Sequence, residues 1–190
     1  MRFPIRNKKL MEPILYNPHF DMGKIQLHQL PNIGRKRNGT HIQFYMHDNP
    51  GGSNPSVVRV AGQPTNSTGS NMGAMFGFGS IYVIDNSLTA TPDANSTLIG
   101  RAQGLYAMSS QGNEFSLLII LTYNFVSGIY NGSSFSIVGR NPVMNEVREM
   151  PIVGGTGVFR LVRGFALAKT HSMDQVTAAI GYNVTVIPYY

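Results

Sequence analysis

Asp48 is the residue of this chain best placed to do chemistry. It ends the segment THIQFYMHD (40–48). If that segment is extended, Asp48 shares one face with Ile42, Phe44 and Met46, and His41, Gln43, Tyr45 and His47 share the other. A carboxyl that ends an apolar row can be read in two ways. If the row lines an interior, the acid is desolvated and suited to proton transfer. If not, it caps a turn or pairs with an arginine. The residues alone leave both readings open.

Other chemistries find less support. The chain has no cysteine, which removes disulfides, thiolate nucleophiles and cysteine metal sites. The five histidines, at 19, 28, 41, 47 and 171, show neither an HExxH pattern nor a paired spacing, so no metal is expected. Gly154-Gly155-Thr156-Gly157 lacks the Lys-Ser/Thr of a phosphate loop, and Arg160 stands where a dinucleotide fingerprint would need a third glycine. It reads as a glycine-bearing turn. No G-x-S-x-G elbow is present. No cofactor is expected.

The elements that must hold Asp48 read as strands. Besides 39–48, extended segments are expected at 56–61, 76–85, 98–109, 114–125, 129–141, 158–170 and 176–187. Polar loops are expected at 49–54, 62–75 and 86–97. Asn131-Gly132 is a hairpin turn signal, and Asn141-Pro142 ends the strand that follows, because proline gives no amide hydrogen to a ladder. Ala102, Gly104, Tyr106 and Met108 share a face of one strand. SLLIILTYNF, within 114–125, is apolar on both faces, so its outer side needs cover. Self-association would supply it.

Length and composition agree with one all-β domain: charged residues are only 13% and glycines number 21 in 190 residues. The net charge of +6 is misleading as a guide to partners. Eight basic and two acidic residues fall in 1–37, and seven of each sign cancel from 38 onward. A nucleic-acid domain carries its basic stripe on the folded body. No nucleic-acid partner is expected, and residues 1–38 read as a disordered basic leader. No apolar run approaches the length of about 18 residues needed to span a membrane. Five sequons, at Asn38, Asn66, Asn95, Asn131 and Asn183, suit a secreted glycoprotein. The first twenty residues hold no apolar run of the kind a signal peptide uses.

Six short motifs then occur in register. These are FYMHD (44–48), SIYVIDNSLT (80–89), GRAQGLY (100–106), GRN (139–141), Arg148 and VGGTGVF with RG (153–164). Together they resemble the plant dirigent family over roughly residues 40–190. The resemblance implies an eight-stranded antiparallel up-and-down β-barrel of the allene-oxide-cyclase-like type over 39–190, assembled as a homotrimer and secreted to the apoplast. It also implies a phenolic substrate, with a separate laccase or peroxidase supplying radicals.

By the same resemblance Asp48 lies in the barrel pocket beside Arg148 as the catalytic pair. Tyr106, Met108, Asn141, Thr170 and Phe44 then bind substrate. Two positions depart from the family pattern. Asn141 stands where pinoresinol-forming relatives carry a second aspartate, and Met108 stands where they carry a second tyrosine. Asparagine can hydrogen-bond but cannot exchange a proton, so a two-carboxylate mechanism is in doubt. Three functions remain open: stereoselective coupling of monolignol radicals, dehydration of an isoflavanol through a quinone methide, and ligand binding without catalysis.

Overall fold

The computed structural model of the protein describes residues 39–62, 77–112, 114–174 and 177–188. The leader (1–38), with Asn38, and the loop bearing Asn66 lie outside the described residues.

Nine strands make the sheet: β1 (Thr40–Asp48), β2 (Val57–Ala61), β3 (Ile81–Thr89), β4 (Leu98–Met108), β5 (Ser116–Phe125), β6 (Ser134–Pro142), β7 (Arg148–Thr156), β8 (Arg163–Met173) and β9 (Ala178–Ile187). From β3 to β9 each strand pairs antiparallel with the next in sequence. β1 closes the circle. It pairs with β9 along its whole length, from Thr40 opposite Val186 to Asp48 opposite Ala178, and through Tyr45, Met46 and His47 with the end of β3. The result is a closed barrel of eight antiparallel strands, as the motifs implied.

β2 is the strand outside that eight. It pairs with the first half of β3, Val58 opposite Val83, while β1 pairs with the second half. β1 and β2 therefore act as one strand interrupted at residues 49–56. The break is clamped at its base, where the Ser56 N–H donates to the Asn49 carbonyl at 2.8 Å.

Four sequence expectations need correction. The strand expected at 76–85 is shifted: Phe78 and Gly79 turn, and β3 runs on to Thr89, through residues expected to begin a loop. The strand at 148–156 has no counterpart among the expected ones. Arg148, Met150 and Ile152 form its inner row, and a buried arginine at its head hides the alternation. β8 begins at Arg163 and not at 158, because Gly157–Phe159 form a 3-10 turn. Lastly, the expected 129–141 strand begins only at Ser134, after a 3-10 turn at Gly128–Tyr130. The Asn131-Gly132 turn stands, with Gly132 at φ +76°.

Period-two alternation fills the interior. One end of the barrel is aromatic, formed by Phe44, Tyr123, Phe125, Phe135 and Phe159, with Tyr182 at the inner edge of the cluster. Phe44 stacks on Tyr182 with centroids 5.3 Å apart, and Tyr123 on Phe135 at 5.0 Å. Such offset ring packing adds to the area the rings bury. Gly104 lets β4 approach β5 closely; at its φ of +146° a Cβ would collide with the Ile120 carbonyl oxygen.

The outer surface carries an apolar row. Val58, Val83, Leu105, Ile120 and Val138 are register partners in succession across β2 to β6. At about 4.8 Å per strand the row spans roughly 19 Å. Val83 and Ile120 are 47% and 42% exposed. Among the described residues no helix is long and apolar enough to cross a membrane.

Candidate functional site

Up-and-down topology brings alternate strand ends together. Asp48 ends β1, Met108 ends β4, Asn141 stands one residue from the end of β6, Arg148 begins β7, and Thr170 lies toward the end of β8. All five fall at the same end of the barrel, opposite the aromatic cluster. Tyr106 sits one inward step below Met108. The parity of each strand turns these side chains to the buried rows, so residues far apart in sequence share one mouth.

Asp48 continues the buried row Ile42, Phe44, Met46. Its Oδ1 accepts a hydrogen bond from Asn86 Nδ2 at 2.7 Å. Burial pushes its pKa above the ordinary carboxyl value, and the Asn86 bond opposes that shift without cancelling it. The acid form therefore persists to higher pH than in an exposed aspartate.

Arg148 is 4% exposed. Its Nη1 donates to Thr170 Oγ1 at 2.9 Å and to the Asn145 carbonyl at 3.4 Å, while Nε has no hydrogen-bond partner. Desolvation lowers its pKa, although a guanidinium stays charged. None of the ion pairs among the described residues joins Arg148 to Asp48. What links them is Tyr182, whose ionisation both charges influence.

The tyrosines stay neutral. Tyr106 stacks on Tyr82 with centroids 5.0 Å apart, and burial, then Asp48, then Tyr82 raise its pKa far above the usual phenol range. Burial likewise raises Tyr182 and Tyr123. The Tyr123 hydroxyl lies close enough to Tyr182 to affect its ionisation, yet has no partner of hydrogen-bond geometry.

The remaining expected residues fall as follows. The Asn141 side chain is buried with Oδ1 unpartnered. Met108 is buried at the rim, and Phe44 is fully buried in the aromatic end, below the mouth. Of the sequons, Asn95 and Asn131 are exposed in turns, whereas Asn183 lies within β9 with 6% of its surface exposed. Among the described residues no group of three or more His, Asp or Glu could hold a metal ion.

Three residues of the site are missing from the sequence reading: Asn86, Tyr82 and Tyr182. The first two belong to the β3 row Tyr82, Ile84, Asn86, Leu88, where a polar residue interrupts an apolar face as Asp48 does in β1. That signal is present in the sequence, but a strand ending at 85 leaves Asn86 in a loop. Tyr182 is an ordinary core residue by pattern, and only the register opposite Phe44 and Ala168 places it between the two charges.

Comparison with known proteins agrees with the fold. The family profile described as Dirigent-like protein matches residues 39–187. Dirigent protein 23 of Arabidopsis thaliana is 43% identical over 150 residues, covering 78% of this chain and 77% of that one. Pterocarpan synthase 1 of Glycyrrhiza echinata is 42% identical over 153 residues, covering 79% and 78%. The solved structure of the pterocarpan synthase dirigent protein GePTS1 superimposes with a TM-score of 0.72 at 40% identity, over 82% of this chain and 88% of that chain.

Proposed function

Because the chain belongs to the dirigent family, we propose that its barrel holds oxidase-generated phenoxy radicals of monolignols, or the quinone methides they form, and sets the stereochemistry of their coupling. A laccase or peroxidase removes one electron and one proton from each phenol. Two radicals then join through a carbon–carbon bond, giving a bis-quinone methide. In the ring closure Asp48 gives its proton to a methide oxygen, a side-chain hydroxyl attacks the methide carbon, and the hydroxyl proton returns to the carboxylate. The ring closure itself consumes no net proton or electron.

The observation that carries this reading is a carboxyl held toward its acid form in the barrel mouth, at the same end as a buried arginine. Flat aromatic and thioether walls suit a phenolic ring, and a few polar groups suit its oxygens. The unpartnered Arg148 Nε and Asn141 Oδ1 offer one donor and one acceptor. Asp48 and Arg148 are the catalytic residues we propose, and Tyr106, Met108, Asn141, Thr170 and Phe44 shape the site.

A second reading draws on the similarity to pterocarpan synthase and on Asn141 as a neutral group. Here Asp48 protonates the departing hydroxyl of an isoflavanol and water leaves. The conjugated phenol returns a proton to the carboxylate as it becomes the quinone methide, and a second phenol oxygen then closes the ring on the methide carbon while its proton passes to the methide oxygen. Chiral chromatography of products from coniferyl alcohol, with and without laccase, and from an isoflavanol without oxidant, separates the readings. Enantiomeric excess only with laccase supports coupling, and dehydration without oxidant supports the lyase. No effect in either arm leaves a barrel that binds and does not direct chemistry.

We further propose that the Val58–Val138 row is covered by sister copies in a homotrimer. We place the protein in the apoplast, with glycans on Asn95 and Asn131.

A further inference from the structure

Asn86 has no surface exposed to solvent. A buried primary amide must find partners for its carbonyl and its NH2 group, or lose the bonds water gave it. It has a partner on each side. Nδ2 donates to Asp48 Oδ1 at 2.7 Å, and Oδ1 accepts from the Ser56 hydroxyl at 2.5 Å. At the far end of this chain the Asn49 backbone N–H donates to Ser56 Oγ at 3.2 Å, and the acceptor of that hydroxyl's one proton is Asn86 Oδ1.

The amide then has one orientation, carbonyl toward Ser56 and NH2 toward Asp48. An NH2 group only donates, so Oδ1 of Asp48 is held as an acceptor whatever the carboxyl's charge. In the neutral acid the proton is confined to Oδ2. We infer that Asn86, keyed by Ser56, is a positioning residue that fixes on which oxygen Asp48 carries its proton.

The break between β1 and β2 gives this arrangement its architecture. An unbroken strand would run a ladder past Asn86. The break instead returns the chain at Ser56, whose carbonyl accepts from the Asp85 N–H at 2.8 Å and so sets the hydroxyl behind Asn86. Asp48 in turn acts on two phenols, Tyr106 of β4 and Tyr182 of β9, and Arg148 of β7 acts on Tyr182. Burial keeps both phenols neutral, which leaves Asn86 as the hydrogen-bond donor that favours the carboxylate.

The inference rests on Asp48 as the proton donor proposed above, but its test needs no substrate. In the full chain labelled with 13C at the aspartate carboxyls, the Asp48 resonance is assigned by its loss in Asp48→Asn and followed against pH. In Asn86→Leu its midpoint should rise by about one pH unit or more, because a donor to the ionised form is gone. Ser56→Ala, which leaves the amide in place but free to turn, should shift it the same way by less. The pH–rate profile should move in parallel in both variants.

An unchanged midpoint in folded Asn86→Leu overturns the inference. If that variant does not fold, an unchanged midpoint in Ser56→Ala does so. Lost activity with unmoved titration and profile also overturns it, since that is what a structural role alone would give. A shifted midpoint in a protein that directs no chemistry would sink the proposed function and leave Asn86's hold on the carboxyl standing.

Discussion

The two ends of the barrel solve opposite problems. At one end Phe44, Tyr123, Phe125, Phe135 and Phe159 fill the interior with rings and carry no charge, and Tyr182, stacked on Phe44, joins them to the other end. At the other a carboxyl, a guanidinium, the Asn141 amide and a threonine hydroxyl stand at or near strand ends. The Asn86 amide backs the carboxyl from within β3, and Arg148 Nε and Asn141 Oδ1 are left unpartnered. Apolar burial stabilises the first end, and desolvating Asp48 and Arg148 costs stability at the second. The same eight strands span both, so the rigid end can hold the costly one in place.

The comparison can be broken most severely at the aromatic end. Phe135→Ala removes a fully buried ring and should cost about 3–5 kcal/mol in urea unfolding. A cost near zero would mean that this end does not anchor the barrel.

At the mouth the largest effect should be on chemistry. Asp48→Asn should lower whichever activity is found at least tenfold, about 1.4 kcal/mol of barrier. The same change should raise stability at neutral pH. Because the folded-state pKa of Asp48 is raised, its contribution to stability is full below the unfolded carboxyl value and is lost as pH rises through the folded value. The melting-temperature gap between the Asp48→Asn variant and its parent should therefore open as pH rises from acid to neutral. Activity that depends on the acid form should fall as pH rises, with its midpoint above the ordinary carboxyl range of about 3.9.

Arg148→Met tests the uncompensated cation. It should also weaken activity, while urea unfolding changes by less than Phe135→Ala produces. A destabilisation as large as that of the aromatic change would make Arg148 a structural residue. The smallest effect on folding should come from the outer row: Ile120→Lys should alter the unfolding of the dissociated chain by no more than about 0.5 kcal/mol. Sedimentation should nevertheless show smaller assemblies, and an unaltered assembly state would remove this row as the interface.

Much of the aromatic end is legible in the sequence, because rings alternating with polar residues have one reading. The mouth is harder to read. Arg148 heads an inner row that local pattern assigns to solvent, which hides its strand. Asn86 lies where SIYVIDNSLT turns polar, and a strand placed a few residues early makes it a loop residue. Both errors have one cause. A buried polar side chain imitates a surface position, and only pairing with a distant strand reveals which side it faces. Asp48 reads as inward because three apolar residues share its face, but the residues alone cannot choose between a pocket and a turn cap.

The seam between β1 and β9 joins the earliest and latest of the nine strands to be synthesised. Until β9 docks, β1–β8 can form only an open sheet, and the edge of β1 that carries Asp48 has no neighbour on that side. The buried setting of Asp48 therefore depends on this last pairing, and a chain that lost β9 would leave the barrel open along β1.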